Sequence, residues 1–94
     1  MSKVENSKEP KVTKEMIDLI KEEVSKYDLN WAKGIMEKMR ENNIIQIRYR
    51  HKEGGMPLSV IYNITNGFIT TPVLLEVFYE CANEHLENLK KISA

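Results

Sequence analysis

The chain has 94 residues, with 14 basic and 14 acidic side chains and a formal net charge of zero, so it is one domain's worth of sequence without the bulk positive charge of a general nucleic-acid binder. Its single cysteine, Cys81, excludes an intrachain disulfide framework, and no stretch approaches the ~20 apolar residues of a membrane span. A cytoplasmic protein is expected, small enough that pairing with a copy of itself would usefully enlarge its core.

Residues 1–11 are polar and aperiodic and read as a disordered lead, leaving 12–94 as a single domain. Thr13 is placed to cap a helix whose apolar positions, Met16, Ile17, Leu19, Ile20 and Val24, recur three and four apart. Tyr27 follows as an expected packing residue. Asp28 or Asn30 can cap a second helix with Ala32, Ile35, Met36 and Met39 on one face, and Asn42-Asn43 suits a left-handed exit from it.

The period then changes to two. Ile45, Ile47 and Tyr49 alternate with Gln46, Arg48 and Arg50; after the loop His51–Pro57, Leu58, Val60, Tyr62 and Ile64 alternate with Ser59, Ile61 and Asn63. The expectation is a β-hairpin over about 44–64, ended by Asn66-Gly67. Thr71-Pro72 opens a long final helix to about residue 92, with Thr as cap and Pro at the first helical position. Its stripe runs Leu74, Phe78, Cys81, His85, Leu89, Ile92, widened by Val73, Val77, Ala82 and Leu86. The predicted class is α+β.

Charge is unevenly distributed. Residues 33–52 carry six cations (Lys33, Lys38, Arg40, Arg48, Arg50, Lys52) against Glu37 and Glu41, whereas 72–89 carry four glutamates and no cation. On the expected hairpin, Arg48 and Arg50 share the wet strand face, either as phosphate contacts or as ordinary solvated edge charge. Trp31, at a helix start, is either a reader of bases or a partly buried packing residue.

The run Met36, Met39, Asn43, Ile44, Ile45 leading into a basic hairpin and a long helix resembles a winged helix-turn-helix domain, in the layout of replication-terminator and PadR-like regulators. That resemblance implies a homodimeric DNA-binding regulator of transcription. Asn30, Trp31, Lys33, Lys38, Arg40, Arg48, Arg50 and Lys52 would then meet duplex DNA through the second helix and the wing. Leu74, Phe78, Cys81, His85, Leu89 and Ile92 would form the dimer seam. It departs from the family in lacking room for the usual first core helix and in placing Glu37 and Glu41 on the reading helix. These departures keep a second expectation open: a small protein-interaction module, an inhibitor or adaptor of the mobile-element type.

Cys81 and His85, four apart, are two potential metal ligands without a second pair. No phosphate loop, nucleophile elbow or paired-carboxylate pattern is present, so neither an enzyme nor a cofactor or metal is expected.

Overall fold

The computed structural model of the protein describes residues 11–93; the lead expected over residues 1–11 lies, apart from Lys11, outside the described residues. Among the described residues five helices follow one another: α1 (Lys14–Tyr27), α2 (Trp31–Arg40), α3 (Asn43–Arg48), α4 (Leu58–Thr65) and α5 (Pro72–Ser93). Among the described residues there is no strand, so the expected α+β class and the β-hairpin over 44–64 are both overturned. Its first strand is α3 and its second is α4.

The reasons are local. Asn42 does not end α2 in a left-handed turn; among the described residues only glycines have positive φ. Instead it sits in the extended region (φ −77°, ψ 132°) and caps α3, its Oδ1 accepting from the N–H groups of Ile44 and Ile45 at 2.8 and 3.3 Å. Ile45 and Tyr49 are as compatible with a helical i, i+4 pair as with strand alternation, and they pack inward while Ile47 is 67% exposed. In α4 the buried set is Val60, Ile61, Ile64 and Thr65, a helical pattern. The β-branched residues that argued for a strand are outweighed by that burial.

The end of α4 is held by a Schellman arrangement. Gly67, at φ 83°, donates to the Ile64 carbonyl (3.2 Å), and Phe68 donates to that of Asn63 (2.8 Å). Thr13 caps α1 as expected, accepting from Met16 N–H at 3.2 Å. At the expected start of α5, the Thr71 carbonyl accepts the first helical bond from Leu75 at 3.0 Å.

Both α1 and α2 pack on α5 and on α4, and α3 packs on α2. The core they enclose is centred on Phe78, Ile17, Ile35, Met39, Ile45, Met56, Ile61, Ile64 and Val24, all fully buried. Leu19 and Tyr27, expected to pack, are 64% and 46% exposed. Val12 is buried, so the described chain joins the core before α1 begins. No helix among the described residues is long and apolar enough to cross a membrane.

Candidate nucleic-acid interface

With α3 and α4 in place, the charge distribution acquires a spatial meaning. Between Glu41 and Glu76 the chain holds one acidic residue, Glu53, against Arg48, Arg50 and Lys52, with His51 among them. That stretch supplies α3, the connection after it and α4. Arg48, Arg50, His51 and Lys52 are all exposed. Arg50 and Lys52 line a depression of about 190 Å³ together with Arg40, Gln46, Tyr49 and Met56, so they stand close to where the chain enters α4.

The connection itself is shaped by Gly54 and Gly55, both at positive φ, and by Arg40, whose Nε donates to the Met56 carbonyl at 2.9 Å. Met56 itself is fully buried in the core. Beyond it, α4 presents Leu58, Ser59, Tyr62 and Asn66 to solvent with Asn63 at their margin, a surface without a charged side chain.

The sequence-predicted contact residues divide accordingly. Arg48, Arg50 and Lys52 are exposed, though on a helix end and a loop rather than on one face of a strand. Lys33 and Asn30 are exposed on α2. Lys38 is ion-paired with Glu84 at 3.2 Å, and Arg40 is engaged with the loop. Trp31 is half-buried, edge-on to Tyr62 (centroids 5.9 Å apart, planes at 74°), with the Lys21 ammonium 5.5 Å from its ring centre. It braces α4 against α2.

Of the residues expected in a dimer seam, Leu74, Phe78 and Cys81 are buried within the single chain and Leu89 packs against the same core. Ile92 is 81% exposed. His85 is committed to Asp28: its Nε2–H donates to Asp28 Oδ2 at 3.1 Å, the tautomer a carboxylate acceptor requires. Asp28 does more than sequence reading suggested. Its backbone N–H closes α1 onto Val24 (3.0 Å), and its Oδ1 accepts from Asn30 N–H (2.9 Å) at the start of α2. One aspartate thus joins the end of α1, the start of α2 and the face of α5. Gly34 lets the ring in, since a Cβ there would overlap Nε2 and lie 2.8 Å from Cε1.

Among the described residues no three His, Cys, Asp or Glu side chains gather as metal ligands. Burial pushes the Cys81 thiol up to about 11, with Glu84 and Glu80 adding to the effect. The thiol is therefore protonated at neutral pH, and native protein is expected to react with iodoacetamide at least tenfold more slowly than urea-unfolded protein. Equal rates would show that Cys81 is open to solvent.

Comparison of the chain with protein families, with characterised proteins and with solved structures returns no match.

Proposed function

We propose that the protein binds duplex DNA, with α4 as the helix entering the major groove and the cations of α3 and of the connection after it on the phosphates beside it. The observation that carries this is the near-absence of acidic residues from Asn42 to Leu75, in a chain whose α1 and α5 hold four each. A groove-facing surface must approach a dense row of phosphates, and carboxylates are excluded from it electrostatically. The solvent-facing side of α4, with its hydroxyl, amide and apolar groups and with Arg48, Arg50 and Lys52 ahead of its start, suits base edges beside phosphates. The nine residues between α3 and α4, 49–57, hold Arg50, His51 and Lys52.

The test is an anisotropy titration of the full chain against duplex DNA across a range of salt. If Arg48, Arg50 and Lys52 each displace one counterion, log K falls against log salt with a slope of about −2.7, from −0.9 per phosphate contact. Arg48→Ala with Arg50→Ala reduces that slope by about two units and weakens binding evenly across sequences. Absence of binding at low salt, or a slope unchanged in the double variant, refutes the proposal.

A second reading, a protein-interaction module or a homodimer, is favoured by apolar residues on the acid-rich side. Leu29 is 95% exposed, and exposed Leu19 borders a shallow groove between α1 and α5 with Met16, Tyr79 and Leu86. A partner seated there leaves α4 open, so the two readings can hold together. Sedimentation velocity with and without Leu19→Glu separates them: a dimer lost in the variant supports pairing through this groove, and a monomer at all concentrations excludes it.

A further inference from the structure

We infer that the protein binds an uncharged, mainly hydrocarbon small molecule, the size of two fused rings, in a cavity between the start of α1, the end of α4 and the start of α5. The cavity measures about 310 Å³ and has Val12, Ile17, Ile64, Ile69 and Leu75 on its walls. Val12, Ile17, Ile64 and Leu75 are buried members of the core, contributed by the segment before α1 and by α1, α4 and α5 in turn. The walls are therefore fixed by the fold before anything enters. A preformed apolar cavity of roughly 300–1,000 Å³, with a small number of polar groups at its edge, is the usual form of a small-molecule site. The depression ahead of α4 and the groove between α1 and α5 differ in kind, the first having Arg40, Arg50 and Lys52 on its walls and the second Glu23 and Lys90.

Volume and charge narrow the ligand. A dry apolar cavity of about 150 Å³ takes benzene, so roughly twice that volume takes a fused bicyclic ring or a branched chain of equal bulk. Among the residues lining the cavity only Lys14 is charged, and its ammonium is turned along α1 to Asp18 Oδ1, 2.7 Å away. The stem of Lys14 covers Gly67, where an added Cβ would lie 3.2 Å from Lys14 Cε. A ligand with a full charge would thus give up its hydration for a cation that already has a counter-ion. Hydroxyl groups are what the cavity offers a polar atom: Thr13 and Thr70 line it and are both exposed, so they stand at its open side. Thr13 Oγ1 accepts from Met16 N–H at 3.2 Å, which leaves its own proton to donate. The ligand is a hydrocarbon body with at most one neutral polar group, directed outward between the two threonines.

The experiment is a titration of the full chain with 2-naphthol, which is uncharged at neutral pH, followed by methyl-resolved NMR. Saturable shifts are expected at Val12, Ile17, Ile64, Ile69 and Leu75, with a dissociation constant on the order of 0.1 mM. 2-Naphthoate, with the same rings and a full charge, is expected to bind about tenfold more weakly. Ile69→Trp and Thr70→Trp each bring a ring into the cavity from its edge and are expected to abolish the shifts. Thr70 is exposed, so its variant should keep the circular dichroism of the parent. No saturable shift up to about 1 mM, shifts scattered outside the cavity, binding of 2-naphthoate as tight as that of 2-naphthol, or binding retained in either folded variant overturns the inference. So do shifts of the same methyl groups on dilution without ligand, which would mean that a second copy fills the cavity. The readout needs no DNA, so the DNA-binding reading stands or falls separately.

Discussion

Phe78→Ala is expected to lower the unfolding free energy by about 3–5 kcal/mol, the usual cost of emptying a fully buried aromatic site. Phe78 has no exposed surface and is the largest of the fully buried side chains. It projects from α5, the helix on which both α1 and α2 pack, so no single neighbour can relax to fill the space. In a domain of this size each kcal/mol moves Tm by roughly 4–8 °C, and the variant is expected to melt well below the parent or to be unfolded at 37 °C. The loss is expected to be independent of protein concentration, because the contacts are made within one chain; were the stripe a seam between chains, dilution would deepen it. Leu19→Ala, on an exposed position of α1, serves as the control and is expected to stay within about 0.5 kcal/mol of the parent. A loss for Phe78→Ala below about 1 kcal/mol would mean that α5 is not the centre of the core.

The second large effect is at Gly34. Gly34→Val is expected to cost about 3 kcal/mol or more, combining overpacking of the α2–α5 contact with loss of the Asp28–His85 hydrogen bond. The obstruction is a histidine ring and not backbone, which makes the penalty reversible by design. With His85→Ala in place, Gly34→Ala should change sign and stabilise by about 1 kcal/mol, since alanine is the better helix former once the ring is gone. A thermal-melt double-mutant cycle reads this directly. If Gly34→Ala is equally destabilising with and without His85, the ring is not what keeps this position glycine.

The elements legible in the sequence were those with long periods and unambiguous ends. Thr13 and Thr71-Pro72 mark α1 and α5 because a cap residue there precedes an apolar stripe of several turns. α3 and α4 were misread because six and eight residues hold fewer than three helical turns, too few for a period of 3.6 to separate from a period of two. Two cues pointed the other way: Ile44-Ile45 and Val60-Ile61 are adjacent apolar pairs, which strict alternation forbids and a helix face accepts. Asn42 was ambiguous for a different reason, as asparagine serves both left-handed exits and N-caps.

The candidate interface was half legible. Arg48, Arg50 and Lys52 stood out by composition alone, and the structure leaves them exposed. The surface of α4 did not, because a helix without charge carries no electrostatic signature and Leu58, Val60, Tyr62 and Ile64 also fit the alternation of a strand. The Asp28–His85 bond spans 57 residues of sequence, and nothing local announces it except Gly34, an isolated glycine inside a helical pattern.

The position of α5 also sets when this protein can exist as a folded object. α1 and α2 both bury their apolar faces against it, and the Asp28–His85 bond closes across most of the described chain. Those contacts are long-range, and the packing of the earlier helices on one another does not cover the sides that α5 buries. A ribosome that has made α1 to α4 therefore holds an unfinished surface of isoleucine, valine and methionine, open to chaperones and to aggregation until α5 is synthesised. Stalling before residue 72 would leave α1 and α2 with their α5-facing sides bare.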